Sequence, residues 1–299
     1  MLGMLLAAAT LLLTGLPLVV VGTTLVLALY KVIPMSLAAW AADPVVFQYT
    51  FFLFAHNLME AMALMVASAT YATLPLYLAD GSRKLYSEKL ANLALWVLLV
   101  TSVTSGLHHF ITFYPNQPAA LSYWGNIMSW GTGMGAAISI FTILATIWQH
   151  GLKPEPGIIA VLVGWALYIL DGASAIVTSN IAWTYQLHGT MWQSGHFMTV
   201  VPSMSTMWMG VLYHHYPVLP GRKLDPALGY LYVRMMTVGS FGAAIVMLAG
   251  GAAGMPRRFA DWHPEGWMLY GNLILLFGII LGASFAVYFY NLMKSREIS

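Results

Sequence analysis

Residues 91–114 read ANLALWVLLVTSVTSGLHHFITFY. The stretch contains no Asp, Glu, Lys or Arg, and it is long enough to cross a bilayer, for which about 20 helical residues suffice. Near its end stand two adjacent histidines, His108 and His109. An apolar helix closed by paired imidazoles raises two questions: how many such helices the chain has, and what those rings meet.

Composition answers the first. Of 299 residues, 60% are hydrophobic and 7% charged, whereas a soluble domain carries about 25% charge. The expected fold class is all-α, a polytopic membrane helix bundle with about eight spans. Their expected limits are 4–30, 47–79, 91–114, 124–149, 157–180, 191–215, 227–254 and 267–292. Turn chemistry separates them at Asp80-Gly81-Ser82, Pro115-Asn116-Gln117-Pro118, Lys153-Pro154-Glu155-Pro156, Pro220-Gly221 and His263-Pro264-Glu265-Gly266. No break is long enough for a soluble domain, so residues 1–299 read as a single transmembrane domain. Met1 to Tyr30 lacks a basic n-region and a cleavage signal, and it reads as a retained helix.

Charge excludes some functions and orients the rest. Twelve Lys+Arg against ten Asp+Glu, without a basic cluster, exclude a nucleic-acid partner. With no cysteine there are no disulfides and no thiolate metal sites, so any metal must rest on His, carboxylate or Met. The loops after the second, fourth and sixth spans and the C-terminal tail hold Arg83, Lys84, Lys89, Lys153, Arg222, Lys223, Lys294 and Arg296, against Lys31, Arg257 and Arg258 on the other side. The positive-inside rule then places both termini in the cytoplasm.

Nine histidines in so apolar a chain need a reason, because intramembrane ionisable groups are costly and turn toward protein. In this topology His56 lies about nine residues, or roughly 13 Å, below the outer surface. His108, His109 and His196 fall near the same level. Several imidazoles at one depth suit a buried redox metal. The plainer reading of a lone His56 is a hydrogen-bonded packing residue, and His108 and His109, about 100° apart on a helix, could serve different neighbours. His188 and His263 fall in outer loops, and His150, His214 and His215 at cytoplasmic ends, where interfacial anchoring is the expected role. Glu60, four residues after His56, shares its helix face. A buried carboxylate there must be protonated, paired or cation-bound. As a ligand beside nitrogen it suits non-haem iron better than copper(I); a neutral hydrogen-bonded Glu or a proton relay are the other readings.

Four motifs in order carry a family resemblance. The string His188-Gly189-Thr190-Met191-Trp192-Gln193-Ser194-Gly195-His196-Phe197, preceded by Asn180 and followed by Gly210 and Tyr213, resembles the tenth helix of the haem-copper oxidase superfamily catalytic subunit I, especially its B-type branch. Gly106-Leu107-His108-His109 is similar to the paired-His seventh helix, Ala55-His56 to the sixth-helix ligand, and Met255-Pro256-Arg257-Arg258 to the loop that holds haem propionates. The resemblance covers the family's fifth to twelfth helices. It implies that His196 is the proximal ligand of a high-spin haem, that His56, His108 and His109 bind a facing non-haem iron or copper, and that Arg257, Arg258 and His188 meet the propionates. Thr132 resembles a proton-channel hydroxyl of the family, although a membrane-helix Thr is commonly bonded back to its own helix.

Departures from the pattern shape the expected function. The redox-active tyrosine of the oxygen-reducing members, usually four residues after the sixth-helix His, is replaced by Glu60, and the third span has no tyrosine before His108. Nitric oxide reductases of the superfamily place an iron-binding glutamate at that position, so the resemblance implies reduction of nitric oxide to nitrous oxide, with Glu60 and His196 at the reacting centre. Reduction of oxygen to water by a cytochrome c or quinol oxidase is the alternative, and a non-catalytic haem-carrying or structural subunit of an electron-transfer complex is a third reading. The low-spin haem's second-helix His is missing from this chain, and the position two after His196 is Met198. Met198 is then either an axial ligand or a packing residue, and the low-spin haem is absent or shared with a partner chain. The resemblance therefore implies a second membrane subunit supplying the missing helices, a c-type cytochrome or cupredoxin electron donor, and a prokaryotic cytoplasmic membrane.

Overall fold

The backbone follows the apolar pattern closely. A computed structural model describes residues 1–112, 118–218, 221–258 and 265–297. Its long helices are α1 (Leu2–Leu29), α3 (Pro44–Thr73), α4 (Glu88–Ser105), α5 (Ala119–His150), α6 (Pro156–Ser179), α8 (Met191–His215), α9 (Pro226–Ala252) and α10 (Glu265–Met293), with two short ones, α2 (Met35–Ala38) and α7 (Ile181–Leu187), between them. A two-residue antiparallel ladder, Arg222–Lys223 against Arg296–Glu297, is the only strand pairing in the described residues. Of the expected breaks, 115–118 lies largely, and Pro220, His263 and Pro264 lie wholly, outside the described residues.

Eight long helices fall on the eight expected spans. Among the described residues seven of them are by length and composition apolar enough to cross a membrane, and α8 is the more polar eighth. It is 25 residues long, but Gln193, Ser194, His196, Ser203, Ser205, Thr206, His214 and His215 dilute its apolar character. The helices end where their chemistry dictates. Pro156 and Pro226 start α6 and α9 at a position whose N–H needs no helical partner. Asn180, Thr190 and Asp225 cap α7, α8 and α9 by accepting the N–H groups of Ala182, Trp192 and Ala227. Large apolar side chains such as Leu12, Leu13 and Leu16 on α1 and Leu275, Leu276 and Ile279 on α10 are exposed, as lipid-facing residues should be.

Residues 1–68 and 88–139 form one compact unit, and residues 69–87 and 140–299 a second. In the first, α1 packs on α4. Thr132, read as a channel hydroxyl or a back-bonded one, does bond back: its Oγ1 donates to Met128 O at 3.2 Å and lies 3.2 Å from Thr101 Oγ1.

In the second unit α6, α8, α9 and α10 pack side by side. Backbones approach closely at small residues, the usual basis of helix association in lipid. A Cβ at Gly210 would lie 2.5 Å from Gly157 O, and one at Gly195 would lie 2.7 Å from Leu248 N. Around this seam Tyr232, Met236 and Tyr288 are buried with Ala160 and Met209. Tyr288 Oη donates to Met209 O at 3.1 Å, satisfying a hydroxyl that lipid could not. The Asp80-Gly81-Ser82 break is a turn with Gly81 at φ +70°. Asp80 accepts from Ser82 N at 2.9 Å and meets His150 Nδ1 at 2.6 Å.

Two measurements check this packing. A Cβ at Gly251 would collide with the Trp192 backbone, whereas one at Gly278 would meet nothing within 4 Å. Gly251→Ala should therefore lower the thermal midpoint in detergent, by an overpacking cost of about 1–3 kcal/mol, and Gly278→Ala should leave it unchanged. The Ser82 N–H and then His150 hold the exposed Asp80 carboxyl at about 2, below its ordinary 3.8. A depressed carboxylate stabilises the fold above its ordinary value and stops doing so as pH falls through the folded value. The midpoint difference between the natural chain and Asp80→Asn should accordingly persist near neutrality and close as pH falls from about 4 to about 2.

Candidate functional site

Two constellations carry the ligand chemistry, one in each unit. The first begins where α4 tightens into a 3-10 turn over Gly106–Phe110. Glycine at 106 lets the α3 histidine come close, since a Cβ there would lie 3.2 Å from His56 Cβ. At Gly125 a Cβ would lie 2.6 Å from His108 N, so α5 rests directly on the turn's backbone.

The two adjacent histidines do not diverge toward separate neighbours. Their ring centroids are 4.3 Å apart, and they lie 5.2 Å and 5.3 Å from the His56 ring. One nitrogen from each of His56, His108 and His109 falls within 4.8 Å of the others. Metal–imidazole bonds are about 2 Å long, so small ring rotations would bring all three to one ion.

Neighbours orient these rings. Ser105 Oγ lies 2.8 Å from His56 Nε2, and Ser129 Oγ lies 2.8 Å from His108 Nδ1. Phe52 stacks on His109 at 4.9 Å, and Tyr49 stacks on Phe110 at 4.2 Å. Such outer contacts fix ring orientation in metal sites. Glu60 Oε1 sits 3.5 Å from His56 Nε2. Its Oε2 is buried and, among the described residues, makes no hydrogen bond. Three clustered imidazoles, with a carboxylate beside one of them that keeps one oxygen unsatisfied, form a donor set that fits a cation.

The second constellation surrounds α8. His196 Nδ1 lies 2.9 Å from Asp171 Oδ1 and 3.1 Å from Ser174 Oγ on α6. Trp192, one helical turn earlier, donates to Thr178 Oγ1 at 3.0 Å. Met198 is half-buried.

At the start of the same helix the chain doubles back. Met191 N donates to Met255 O at 2.7 Å and Arg257 N to Gly189 O at 2.9 Å, which places the two loops side by side. Gly189 at φ +86° makes the turn, and Arg258 adopts φ +62°. Burial pushes the His188 imidazole below its ordinary value, and Arg257 and Arg258 push it further. Burial, with Arg258 beside it, also lowers Arg257. No carboxylate pairs with either arginine among the described residues. A corner with Arg257 half-buried and Arg258 exposed, which has no anion of its own among the described residues, fits the carboxylates of a bound group.

Of the expected site residues, the structure joins His56, His108, His109 and Glu60 in the first unit, and His188, Arg257 and Arg258 with the start of α8 in the second. His150 pairs with Asp80 and His214 with Tyr77, whose hydroxyl is 2.6 Å away, away from both constellations in contact terms. His263 lies outside the described residues. Sequence reasoning missed Ser105, Ser129, Ser174 and Asp171. The serines gave no signal, but Asp171 did, since it is the one charged residue within Pro156–Ser179, and an intramembrane carboxylate marks function by default.

Residues 1–291 match the family model described as Cytochrome C and Quinol oxidase polypeptide I. The chain is 28% identical over 287 residues to cytochrome c oxidase subunit 1 of Thermus thermophilus, covering 85% of this chain and 49% of that one. It is 23% identical over 254 residues to cytochrome c oxidase polypeptide 1 of Halobacterium salinarum, covering 85% and 42%. A cryo-EM structure of a heme-copper terminal oxidase dimer superposes with a TM-score of 0.82 at 20% identity, over 99% of this chain and 57% of that one. The chain thus spans about half the length of these relatives. With the fold shared and nearly the whole sequence matched, this integral membrane chain belongs to the cytochrome c and quinol oxidase polypeptide I family.

Proposed function

We propose that the chain carries the ligands of a haem and a non-haem metal in a membrane terminal oxidase that reduces oxygen to water. The observation that carries this reading is the convergence of His56, His108 and His109 within 4.8 Å, in a member of a family whose relatives named above are cytochrome c oxidases. When bound, the haem and the second metal supply electrons to the gas. The protein supplies the rest. His56, His108 and His109 hold the second metal, with Ser105 and Ser129 keeping the first two rings in place. His196 holds the haem iron. His188, Arg257 and Arg258 receive the propionates, the two guanidiniums as charge-assisted donors. Glu60 holds a proton or a metal at its unpartnered Oε2.

Reduction of nitric oxide becomes the second reading. One observation favours it, the 3.5 Å approach of Glu60 to His56, which puts a hard oxygen donor within reach of the metal's nitrogen ligands. A purely structural role leaves three imidazoles and a carboxylate clustered without purpose, at a desolvation cost that lipid does not offset.

We infer that a second membrane polypeptide accompanies this chain and carries or shares any low-spin haem, with Met198 its candidate ligand from this chain. The electron donor is a c-type cytochrome or a cupredoxin. Loop charge supports both termini facing the cytoplasm, and we assign the chain to a prokaryotic cytoplasmic membrane.

Metal analysis of the purified assembly separates the two readings: about one copper per haem supports oxygen reduction, and a second iron supports nitric oxide reduction. His108→Ala should lose the second metal while the haem spectrum persists. His196→Ala should abolish the high-spin haem spectrum and its carbon monoxide shift; an unchanged spectrum removes both enzymatic readings.

A further inference from the structure

Asp171 lies in α6 with 7% of its surface exposed and is the sole charged residue between Pro156 and Ser179. Such a carboxylate persists in a membrane helix only if protein groups satisfy it. They are Thr199 Oγ1 at 3.1 Å and His196 Nδ1 at 2.9 Å, both on Oδ1. The Thr199 hydroxyl also lies 2.5 Å from His196 O, so its single proton is shared between two acceptors.

The acceptors around the His196 ring point to Nδ1 as the nitrogen that carries a proton. Ser174 Oγ gives its own proton to Asp171 O at 2.9 Å and therefore faces Nδ1 as an acceptor. Asp171 Oδ1 faces the same nitrogen as an acceptor. Two acceptors on Nδ1 require a proton there, which leaves Nε2 with a bare lone pair. Nε2 makes no hydrogen bond among the described residues.

We propose that Asp171 is a positioning residue that acts through His196: by accepting the Nδ1–H it lends the imidazole anionic character, strengthens Nε2 as a donor, and holds the bound haem iron at a lowered reduction potential. The inference rests on His196 being the haem ligand. A carboxylate behind a ligating histidine raises ligand basicity, and a more basic ligand favours the oxidised iron. Thr199 moderates the effect by occupying the same oxygen.

The test is the reduction potential of the high-spin haem and the iron–histidine stretching band in the reduced assembly, purified with its accompanying polypeptides. Asp171→Asn keeps shape and removes charge. It should retain haem, shift the band to lower frequency, and move the reduction equilibrium toward ferrous iron by about tenfold or more, which is about 59 mV for one electron. Full haem content with an unmoved band and potential overturns the proposal and leaves haem ligation intact. Haem retention in His196→Ala overturns the ligation itself, and the proposal with it. Should Asp171→Asn fail to accumulate, Thr199→Val carries the test. Freeing Oδ1 for Nδ1 alone should move the band up and the potential down, and no movement there also overturns the proposal.

Discussion

Lipid offers no hydrogen-bonding partner, and that single constraint shapes every polar group in this chain. Hydroxyls on the spans return their protons to their own helices, as Thr10 does to Leu6 O and Thr14 to Thr10 O. Groups too large or too charged for that solution are gathered instead. His56, His108 and His109 face one another, Ser105 and Ser129 bond to two of the three, and Asp171 sits against His196 and Thr199. Among the described residues Glu60 Oε2 is one of the few buried side-chain atoms left without a hydrogen bond, and the other oxygen of that carboxylate lies 3.5 Å from His56 Nε2. On the proposed reading, sites for metals arise as the residue of a satisfaction problem that the helices alone do not solve.

Much of this was legible before any coordinates. Helix limits follow from hydropathy and from turn residues, and they hold to within a few positions, several of them set locally by a proline at a first turn or a capping side chain. The histidine cluster was legible as well, since a shared depth in the bilayer follows from span order alone. The least apolar of the long helices is α8, because a helix lined with Ser, Thr and His loses apolar character by serving its neighbours. What hydropathy could not show was partnership across helices. Whether His108 and His109 serve one neighbour or two depends on local winding and on Gly125 letting α5 approach, and neither is visible in a periodicity. Thr132 turned out to bond back to Met128 and to neighbour Thr101, a combination that spacing could not distinguish from either reading alone.

Family membership and fold rest on the whole chain, while the choice of gas rests on one side chain, Glu60, at the place where a tyrosine was expected from the resemblance. The relatives are named as cytochrome c oxidases, and the carboxylate is the feature that sets this chain apart from the oxygen-reducing pattern.

The 3-10 turn at Gly106–Phe110 has a dimensional effect of its own. A 3-10 segment rises about 2.0 Å per residue against about 1.5 Å in an α-helix, so the turn lengthens its end of the span by about 2.5 Å without an added residue. The same winding advances each side chain by about 120° in place of about 100°. Imidazole height and azimuth are thereby coupled: any relaxation of this segment to ordinary pitch would retract both rings and rotate them together, like a screw backed out by a fraction of a thread.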